Sequence, residues 1–434
     1  MRYDCLIAGA GLSGLVCGIR CAEMGLRTVI ISGGMNALHF SSGSIDLMGY
    51  EPSGKAIASP YQYLKKFTPK KPGHPYAKVG LKTIRESLAF FKEQCSAGGL
   101  NLYDNGEENH FHITGLGTMK ISYFSQESVF NSRLKDAFEK KAPVAVLNFD
   151  GFRDYFTDLT LEQLRRLPLL KDVTITTGKI RLPYYFRTER NLHEFRSIDL
   201  ARVFDSEKFL PRIADEIKKA AGNARIVSLP AFIGIENFSK IHRKLEQMTG
   251  LLIYEVPSLP PSILGMRIDQ ALKNRFADLG GELSAGDKVF GGEIIKGTLD
   301  HVHTENYGNT RHSARFYVLA TGSFFSGGLK SEFNRIEEPL LKLKISDSPS
   351  RNKWYSDSFF DKKGQPFISY GVKTGKTLNP FSADGKEVKN LFCTGSILSG
   401  YDPVREGSGG GVAISTGYFA ANKIISAVAK GDRG

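Results

Sequence analysis

Residues 3–14 of the chain read YDCLIAGAGLSG, and this stretch decides the fold. An apolar run with the composition of a strand breaks into a G-x-G-x-x-G turn, and residues 15–24 continue as a helix that Gly25 closes. Residues 27–31, RTVII, follow as a second strand. The order strand, glycine turn, helix and strand is a β-α-β unit, so the sequence predicts an α/β protein with a Rossmann-like parallel sheet.

The three glycines of the turn have separate tasks. Gly9 makes the tight turn, Gly11 lets the backbone approach a phosphate, and Gly14 lets the helix lie against the strand. The first turn of the helix offers N–H groups and the positive end of the helix dipole to that phosphate. A glycine-rich turn without a ligand is the alternative, but the position of the motif between strand and helix favours phosphate binding.

The second strand lacks the residue that usually holds an adenosine ribose. Dinucleotide sites of this kind carry Asp or Glu about 20 residues after the glycines, and this chain has Ser32 there, followed by Gly33. No acid occurs between Glu23 and Asp46. The phosphate half of the site is therefore present, whereas the adenosine half lacks its usual anchor.

Residues 37–44, ALHFSSGS, come after the second strand. Ser41, Ser42 and Gly43 suit a backbone nest that binds phosphate or a ring carbonyl, and they suit equally the N-cap of a helix. His39 is a candidate proton donor, with a plain turn residue as the alternative.

The composition is that of a globular protein. The chain has 434 residues, of which 41% are hydrophobic and 24% are charged, enough for about two or three domains. Met1 leads directly into the first strand, so we expect no signal peptide, and no apolar run approaches the ~18 residues of a membrane span. The five cysteines lack metal-ligand and C-x-x-C spacing, so neither a metal site nor an iron–sulfur cluster is expected.

Part of the net charge of +13 lies in residues 55–85, which contain eight basic residues and no acid. These are Lys55, Lys65, Lys66, Lys70, Lys71, Lys78, Lys82 and Arg85. Such a tract suits an anionic membrane surface or an acidic partner protein, and a solvated face is the alternative. The nearby aromatic residues lack a spacing for base stacking, so nucleic acid is not expected as a partner.

Two later strands lead to further glycines. Residues 315–322 end in Thr321 and Gly322, which are predicted to close over the ligand, and residues 389–396 end in Gly395 and Ser396. The helix after them starts with three glycines, which suit contact between backbone and a large planar ligand. Its N–H groups would stabilise negative charge on a reduced ring. These glycines are Gly409, Gly410 and Gly411.

Together these motifs resemble those of the two-dinucleotide-binding-domain flavoproteins, which include the flavoprotein subunits of fumarate reductase and succinate dehydrogenase. The resemblance rests on the first glycine turn, on LATG at 319–322, and on NLFxxG at 390–395 with the three late glycines. Residues 37–44 and the YDP of residues 401–403 are similar to the B subunits of anaerobic glycerol-3-phosphate dehydrogenases.

This resemblance implies a peripheral complex on the cytoplasmic face of the inner membrane. In such a complex a flavoprotein A subunit oxidises sn-glycerol 3-phosphate to dihydroxyacetone phosphate, and an iron–sulfur C subunit passes electrons to the quinone pool of anaerobic respiration. The resemblance also implies FMN as the cofactor, which agrees with Ser32, and FAD is the alternative.

Two positions near the end of the chain are compared with the wider flavoprotein pattern. Ser396 stands where many members have an acid that holds the ribityl chain. Arg405 takes the position of a dicarboxylate-binding arginine of fumarate reductases, which makes it a candidate catalytic residue. An ion pair of Arg405 with Glu406 or Asp402 is the alternative.

We expect a Rossmann-like flavin-binding domain with an inserted α+β cap domain. The flavin-binding domain is assigned residues 1–50, 258–325 and 387–434, and the cap residues 51–257 and 326–386. The expected function is that of a flavoprotein subunit in glycerol-3-phosphate oxidation. A flavin-carrying adaptor without its own substrate oxidation, and a free-standing FAD-dependent reductase of unsaturated dicarboxylates, are the alternatives.

Overall fold

The computed structural model describes residues 3–181, 194–346 and 350–431. Its strands are β1 Tyr3–Ala8, β2 Thr28–Ser32, β3 Leu102–Tyr103, β4 His110–Ile113, β5 Met119–Ser122, β6 Ser125–Gln126, β7 Val144–Phe149, β8 Ile175–Ile180, β9 Ile226–Pro230, β10 Leu252–Val256, β11 Glu282–Ala285, β12 Val289–Ile295, β13 Thr298–Thr304, β14 Ala314–Leu319, β15 Lys330–Ser331, β16 Ile336–Glu337 and β17 Leu391–Cys393. Its α-helices are α1 Leu12–Glu23, α2 Pro60–Phe67, α3 Pro75–Val79, α4 Leu81–Ala97, α5 Ser132–Glu139, α6 Thr157–Leu164, α7 Ser197–Asp205, α8 Leu210–Ala221, α9 Phe238–Thr249, α10 Ile263–Asp278, α11 Pro403–Glu406 and α12 Gly409–Gly431.

A five-stranded parallel sheet in the order β11-β2-β1-β14-β17 forms the centre of the first domain. Strand β1 lies in the middle, pairing Ile7 with Ile30 on one side and with Val318 on the other. The predicted α/β class and Rossmann-like sheet are confirmed. Because all five strands run the same way, the turns after β1, β2, β14 and β17 meet at one edge.

Two glycines let the helices pack closely behind that edge. A Cβ atom on Gly14 of α1 would lie 2.0 Å from the carbonyl oxygen of Gly9, and one on Gly417 of α12 would lie 2.4 Å from that of Ser13. No side chain fits at either distance, so α1 sits directly on the glycine turn and α12 sits directly on α1. The predicted role of Gly14 as a packing position agrees with this geometry.

A second sheet, in the order β10-β9-β7-β8, belongs to the inserted domain and is wholly parallel. The antiparallel strand pairs that the structure describes in this part of the chain are short, namely β3–β6 and β4–β5. The main layer of the insert is thus more regular than the α+β arrangement expected from the sequence. Its core is separate from the first, being built from residues 113–264.

The predicted domain boundaries need correction. Helices α2 to α4 were assigned to the cap, yet Tyr61, Leu64 and Phe91 are buried in the core of the first domain. The prediction also places residues 326–386 in the cap. Leu343 and Val372 of this segment are, however, buried in the core of the first domain. The insert therefore starts after α4, near the β4–β5 hairpin, and the late segment completes the first domain.

Helix α12 is long and apolar enough to span a membrane by length and composition, the one such helix in the described part of the chain. Asn422 and Lys423 interrupt the apolar residues of this helix, so it is not an uninterrupted apolar run of that length. Its apolar residues have a use inside the fold, because Val412, Ile414, Ala420 and Ile424 are fully buried in the first core.

Candidate functional site

A cavity of about 720 Å³ opens at the carboxyl edge of the central sheet. Its wall contains the turns that follow β1, β2, β14 and β17, together with the start of α12. Most of the residues predicted from the sequence line it: Gly9, Gly11, Ser32, Gly33, Ser41, Ser42, Thr321, Gly322, Gly395, Ser396, Gly409 and Gly410. Stretches that are far apart in the chain are therefore brought together at one site, as the glycine patterns predict.

Three predicted glycines lie behind the cavity wall. Gly14 packs against the glycine turn, and a Cβ on Gly43, where φ is +69°, would lie 2.2 Å from Leu264 Cβ. A Cβ on Gly411 would lie 2.2 Å from the hydroxyl of Tyr76. These glycines allow close packing behind the wall, and residues next to them in the chain line the cavity.

His39 also lies behind the wall. Its Nε2 is 2.9 Å from Oδ2 of Asp269, whose carboxylate also accepts from Lys273 and from Asn36. Asn36 in turn donates to the carbonyl of Ala10 in the glycine turn. Because His39 is held in this network and does not line the cavity, its place fits a structural role better than that of a proton donor to substrate.

Arg405 is outside the cavity as well. Its Nη1 donates to the carbonyl of Lys363 at 3.0 Å, and its Nη2 donates to the carbonyl of Pro52 at 2.6 Å. Neither the expected anion-binding role nor the alternative ion pair with Glu406 or Asp402 corresponds to these side-chain contacts. Arg405 instead ties the loop before Gly364 to the segment before α2.

The glycine turn has the geometry of a phosphate site. Gly9 has a φ of +110°, and a Cβ there would lie 2.4 Å from the carbonyl oxygen of Ala320. A Cβ on Gly11, by contrast, would meet no protein atom within 4 Å. Gly11 is the N-cap of α1, the cap has no side-chain hydrogen bond, and the first turn contains no acid. Uncapped N–H groups at a helix start favour an anion.

Buried hydroxyls around the cavity support the presence of a ligand. The hydroxyl oxygens of Ser13, Thr321 and Thr394 are buried without a protein hydrogen-bond partner, and all three residues line the cavity. Buried polar atoms are nearly always hydrogen-bonded. A polar ligand with phosphate and ribityl oxygens would supply partners at this site.

Three charged residues among those described line the cavity, and the sequence patterns did not single them out: Asp46, Lys120 and Lys288. Asp46 is next to the start of α12, since its carbonyl accepts from the N–H of Gly411 at 2.8 Å. Nζ of Lys120 contacts Oδ1 of Asp46 and donates to Oγ of Ser122 at 3.2 Å. Lys288 lies at the other end, with its Cβ 3.3 Å from the position that a Cβ on Gly33 would occupy.

Comparison with known proteins places the chain in a family. A family profile described as "FAD binding domain" matches residues 4–412. A protein from Aliivibrio fischeri, named as the B subunit of an anaerobic glycerol-3-phosphate dehydrogenase, is 39% identical over 98% of this chain and 96% of that protein. A protein of the same name from Vibrio cholerae is 38% identical, over 99% and 98%. The chain belongs to this B-subunit family of FAD-binding-domain flavoproteins.

Among solved structures, a 3-ketosteroid Δ1-dehydrogenase from Sterolibacterium denitrificans matches 98% of this chain and 100% of its own, at 10% identity and a TM-score of 0.46. The family membership confirms the resemblance seen in the motifs, and a flavin is the class of cofactor that follows from it. The profile gives no support to the preference for FMN over FAD.

Proposed function

We propose that the cavity holds a flavin and that the chain is the B subunit of a complex that oxidises sn-glycerol 3-phosphate to dihydroxyacetone phosphate. The partner subunits in this proposal are a flavoprotein A subunit and an iron–sulfur C subunit, and the C subunit would pass electrons to the quinone pool. The observation that carries the proposal is a cavity lined by the flavoprotein glycine motifs, in a chain whose near full-length relatives are named as this subunit.

The bound flavin is FAD in this proposal. An FMN phosphate would end at Gly11, but the cavity continues past the glycine turn to Ser32, Gly33 and Lys288 at the end of β2. This extension is the region where a dinucleotide places its second half. Ser32 and Lys288 would replace the usual acid there, with a hydroxyl and a cation near the ribose and pyrophosphate.

We expect FAD, at about one per chain, when the purified protein is denatured by heat and the released cofactor is measured by mass spectrometry. Lys288→Met should weaken FAD retention and leave the retention of added FMN unchanged, because Lys288 lies only in the extension. Release of FMN alone from the native protein would contradict the assignment and restore the interpretation based on Ser32.

The chemistry at the α12 end would be that of alcohol oxidation. A flavin held between the glycine turn and the start of α12 would supply the hydride acceptor for this oxidation. The chain itself would hold the substrate and take its proton: the carboxylate of Asp46 accepts the proton of the hydroxyl whose carbon loses hydride, while Lys120 orients that carboxylate. The hydride from carbon and the proton taken by Asp46 are then the two hydrogens that the alcohol loses.

Asp46→Asn is expected to lower turnover of glycerol 3-phosphate by the assembled complex about 10²-fold or more, with flavin content unchanged. Lys120→Met should give a smaller loss, since it removes the group that positions the base. The control is Lys92→Met, which breaks a comparable half-buried pair with Asp104 outside the cavity. Full turnover by Asp46→Asn would favour the adaptor function, in which the A subunit alone oxidises substrate.

Attachment at the cytoplasmic face of a membrane also belongs to the proposal. Part of the basic tract is engaged within the fold, as Arg85 pairs with Glu107 and Lys78 donates to Thr374. Six lysines of the tract are exposed: Lys55, Lys65, Lys66, Lys70, Lys71 and Lys82. A surface of this kind is attracted to anionic lipid or to an acidic subunit, with a range that salt shortens.

A further inference from the structure

A second cavity, of about 290 Å³, lies at the start of the inserted domain. The β4–β5 hairpin, helix α5 and the residues just before α5 form most of its wall, and no described residue lines both this cavity and the flavin cavity. Its volume is close to the lower end of the range for small-molecule sites. Apolar side chains dominate the wall, among them Phe111, Ile113, Val129, Phe130, Leu134 and Phe138.

Two buried histidines are the exception in this apolar wall. His110 and His112 are 6% and 1% exposed, and both line the cavity. They are two residues apart in β4, so their side chains point to the same face of the strand. Nδ1 of His110 and Nε2 of His112 are buried without a hydrogen-bond partner among the described residues. Since buried polar atoms are nearly always hydrogen-bonded, these nitrogens indicate that a polar group belongs beside them.

The hydrogen bond at the other ring nitrogen of His112 determines what this residue can offer. Nδ1 is 3.2 Å from the carbonyl oxygen of Ile113. A carbonyl oxygen only accepts, so Nδ1 carries the proton. Burial, together with the charge of Lys120, lowers the pKa of His112 to about 3, which keeps the ring neutral at pH 7. Nε2 is therefore an acceptor, and a ligand must donate a hydrogen to it.

His110 can place a donor beside that acceptor. Its Nε2 is 2.7 Å from Oγ of Ser125, and either atom can be the donor. When the hydroxyl of Ser125 donates, Nδ1 of His110 carries the ring proton and points a donor at the ligand. Burial lowers the pKa of His110 to about 4, so this ring is also neutral at pH 7. A hydroxyl group both donates and accepts, so one ligand hydroxyl can pair with both histidines.

The rest of the wall favours an uncharged aromatic ligand. The ring of Phe130 stacks on that of His110, with the planes 10° apart and the centroids 5.3 Å apart, and Phe138 adds a further ring. Aromatic faces and edges of this kind pack well against another ring. The charged residues of the described wall, Lys135 and Glu139, are exposed and opposite in sign. An ion inside the cavity would therefore be buried without a counter-charge, which is costly.

We propose that this second cavity binds a small uncharged phenol, whose hydroxyl pairs with His110 and His112 and whose ring packs against the phenylalanines. The phenol donates its hydrogen to Nε2 of His112 and accepts one from Nδ1 of His110. The proposal is independent of the flavin and of glycerol-3-phosphate oxidation, because the two cavities share no described residue.

The test is equilibrium dialysis of the full chain with bound flavin against three probes of similar shape: 2-naphthol, naphthalene and 2-naphthoate. The bound flavin keeps the probes out of the first cavity. We expect 2-naphthol to bind at least about tenfold more tightly than naphthalene, which would leave both nitrogens unpaired. We expect 2-naphthoate to bind most weakly, since its charge would be buried without a partner.

Variants of the wall assign the binding to this cavity. His112→Leu should abolish the preference for 2-naphthol over naphthalene, whereas His112→Gln keeps a side-chain acceptor and should retain much of it. Val129→Phe fills the cavity and should prevent binding of every probe. His303→Leu is the matched control, because His303 lines neither cavity and binding should be unchanged. Circular dichroism and flavin content check the folding of each variant.

The absence of saturable 2-naphthol binding, up to the solubility limit of the probe, would overturn the proposal. Equal affinities of the unmodified chain for 2-naphthol and naphthalene would do so as well, and this comparison needs no variant. Tighter binding of 2-naphthoate would assign the cavity to anions instead. Binding that survives Val129→Phe, or a preference that survives His112→Leu, would place the probe elsewhere and count equally against the proposal.

Discussion

Gly11→Val is expected to give a folded protein that has lost its flavin. The backbone of Gly11 is extended, with φ −77° and ψ 179°, which valine adopts readily. A Cβ there meets no protein atom within 4 Å, so the fold gains no clash. The new methyl groups would instead occupy the space where a phosphate reaches the uncapped N–H groups of α1. Retention should fall at least about a hundredfold, a loss of ~2.8 kcal/mol.

The measurement is flavin absorbance per chain after gel filtration, with circular dichroism as the check on folding. Gly73→Val is the control, because a Cβ on Gly73 also meets nothing within 4 Å and Gly73 lies outside the cavity. Full flavin content in Gly11→Val would place the phosphate elsewhere and remove the basis of the glycine-turn assignment.

The glycine turns could be predicted from the sequence because short-range chemistry determines them. The position of Gly9 has a φ of +110°, and a Cβ there would lie 2.4 Å from the carbonyl oxygen of Ala320. No other amino acid fits this position without strain. The pattern of such glycines between strands and helices therefore predicts both the sheet and the turns that form the cavity. These turns supplied most of the predicted ligand-lining residues.

The charged residues of the site depend on long-range structure and could not be found in this way. Lys120 is on the β4–β5 hairpin and reaches Asp46, which is 74 residues earlier in the chain. No local pattern marks either residue, since a lysine in a short strand is usually an exposed side chain. The misplaced domain boundary has the same cause: α2 to α4 join the first core through packing that their own sequence does not specify.

Arg405 and His39 show how position in a motif differs from position in space. Both occur beside glycine or serine stretches that do line the cavity, yet the side chain of each turns to groups behind or outside it. Sequence proximity to a binding loop therefore predicts the backbone of a site better than it predicts its side-chain chemistry.

Arg267→Met is expected to destabilise the inserted domain by about 3–5 kcal/mol. Arg267 on α10 and Glu255 on β10 form a pair whose side chains are 1% and 0% exposed, with N–O distances of 2.6 and 3.0 Å. Nε of Arg267 also donates to the carbonyl of Gly234 at 2.9 Å. Removing the guanidinium leaves a buried carboxylate with no compensating cation, and this cost is a large part of a typical domain stability of about 5–15 kcal/mol.

Urea unfolding followed by circular dichroism, at saturating flavin, measures the change. The double variant with Arg267→Met and Glu255→Gln should recover much of the loss, since the side-chain amide oxygen can still accept from the N–H groups that Glu255 holds in the loop after β9. Arg133→Met removes an ion pair to Glu246 from an arginine that is 62% exposed, and should cost no more than about 1 kcal/mol. A loss no larger than that control would mean that the buried pair contributes little.

The pH dependence gives a second, independent check on the same pair. Burial by itself raises the pKa of Glu255, but the Arg267 charge and the hydrogen bonds to its carboxylate outweigh burial and hold that pKa below its usual value. A lowered pKa contributes stability above the unfolded value of about 4.3 and loses it as the pH falls through the folded value. In Arg267→Met we expect the sign to reverse, because burial then outweighs the hydrogen bonds that remain from Ile233 and Ser128 and raises the pKa of Glu255. Protonation would relieve the buried charge as the pH falls from 7 towards 5, so the stability difference between the variant and the wild type should shrink over that range. A difference that stays constant with pH would show that lost packing, rather than an unpaired carboxylate, destabilises the variant.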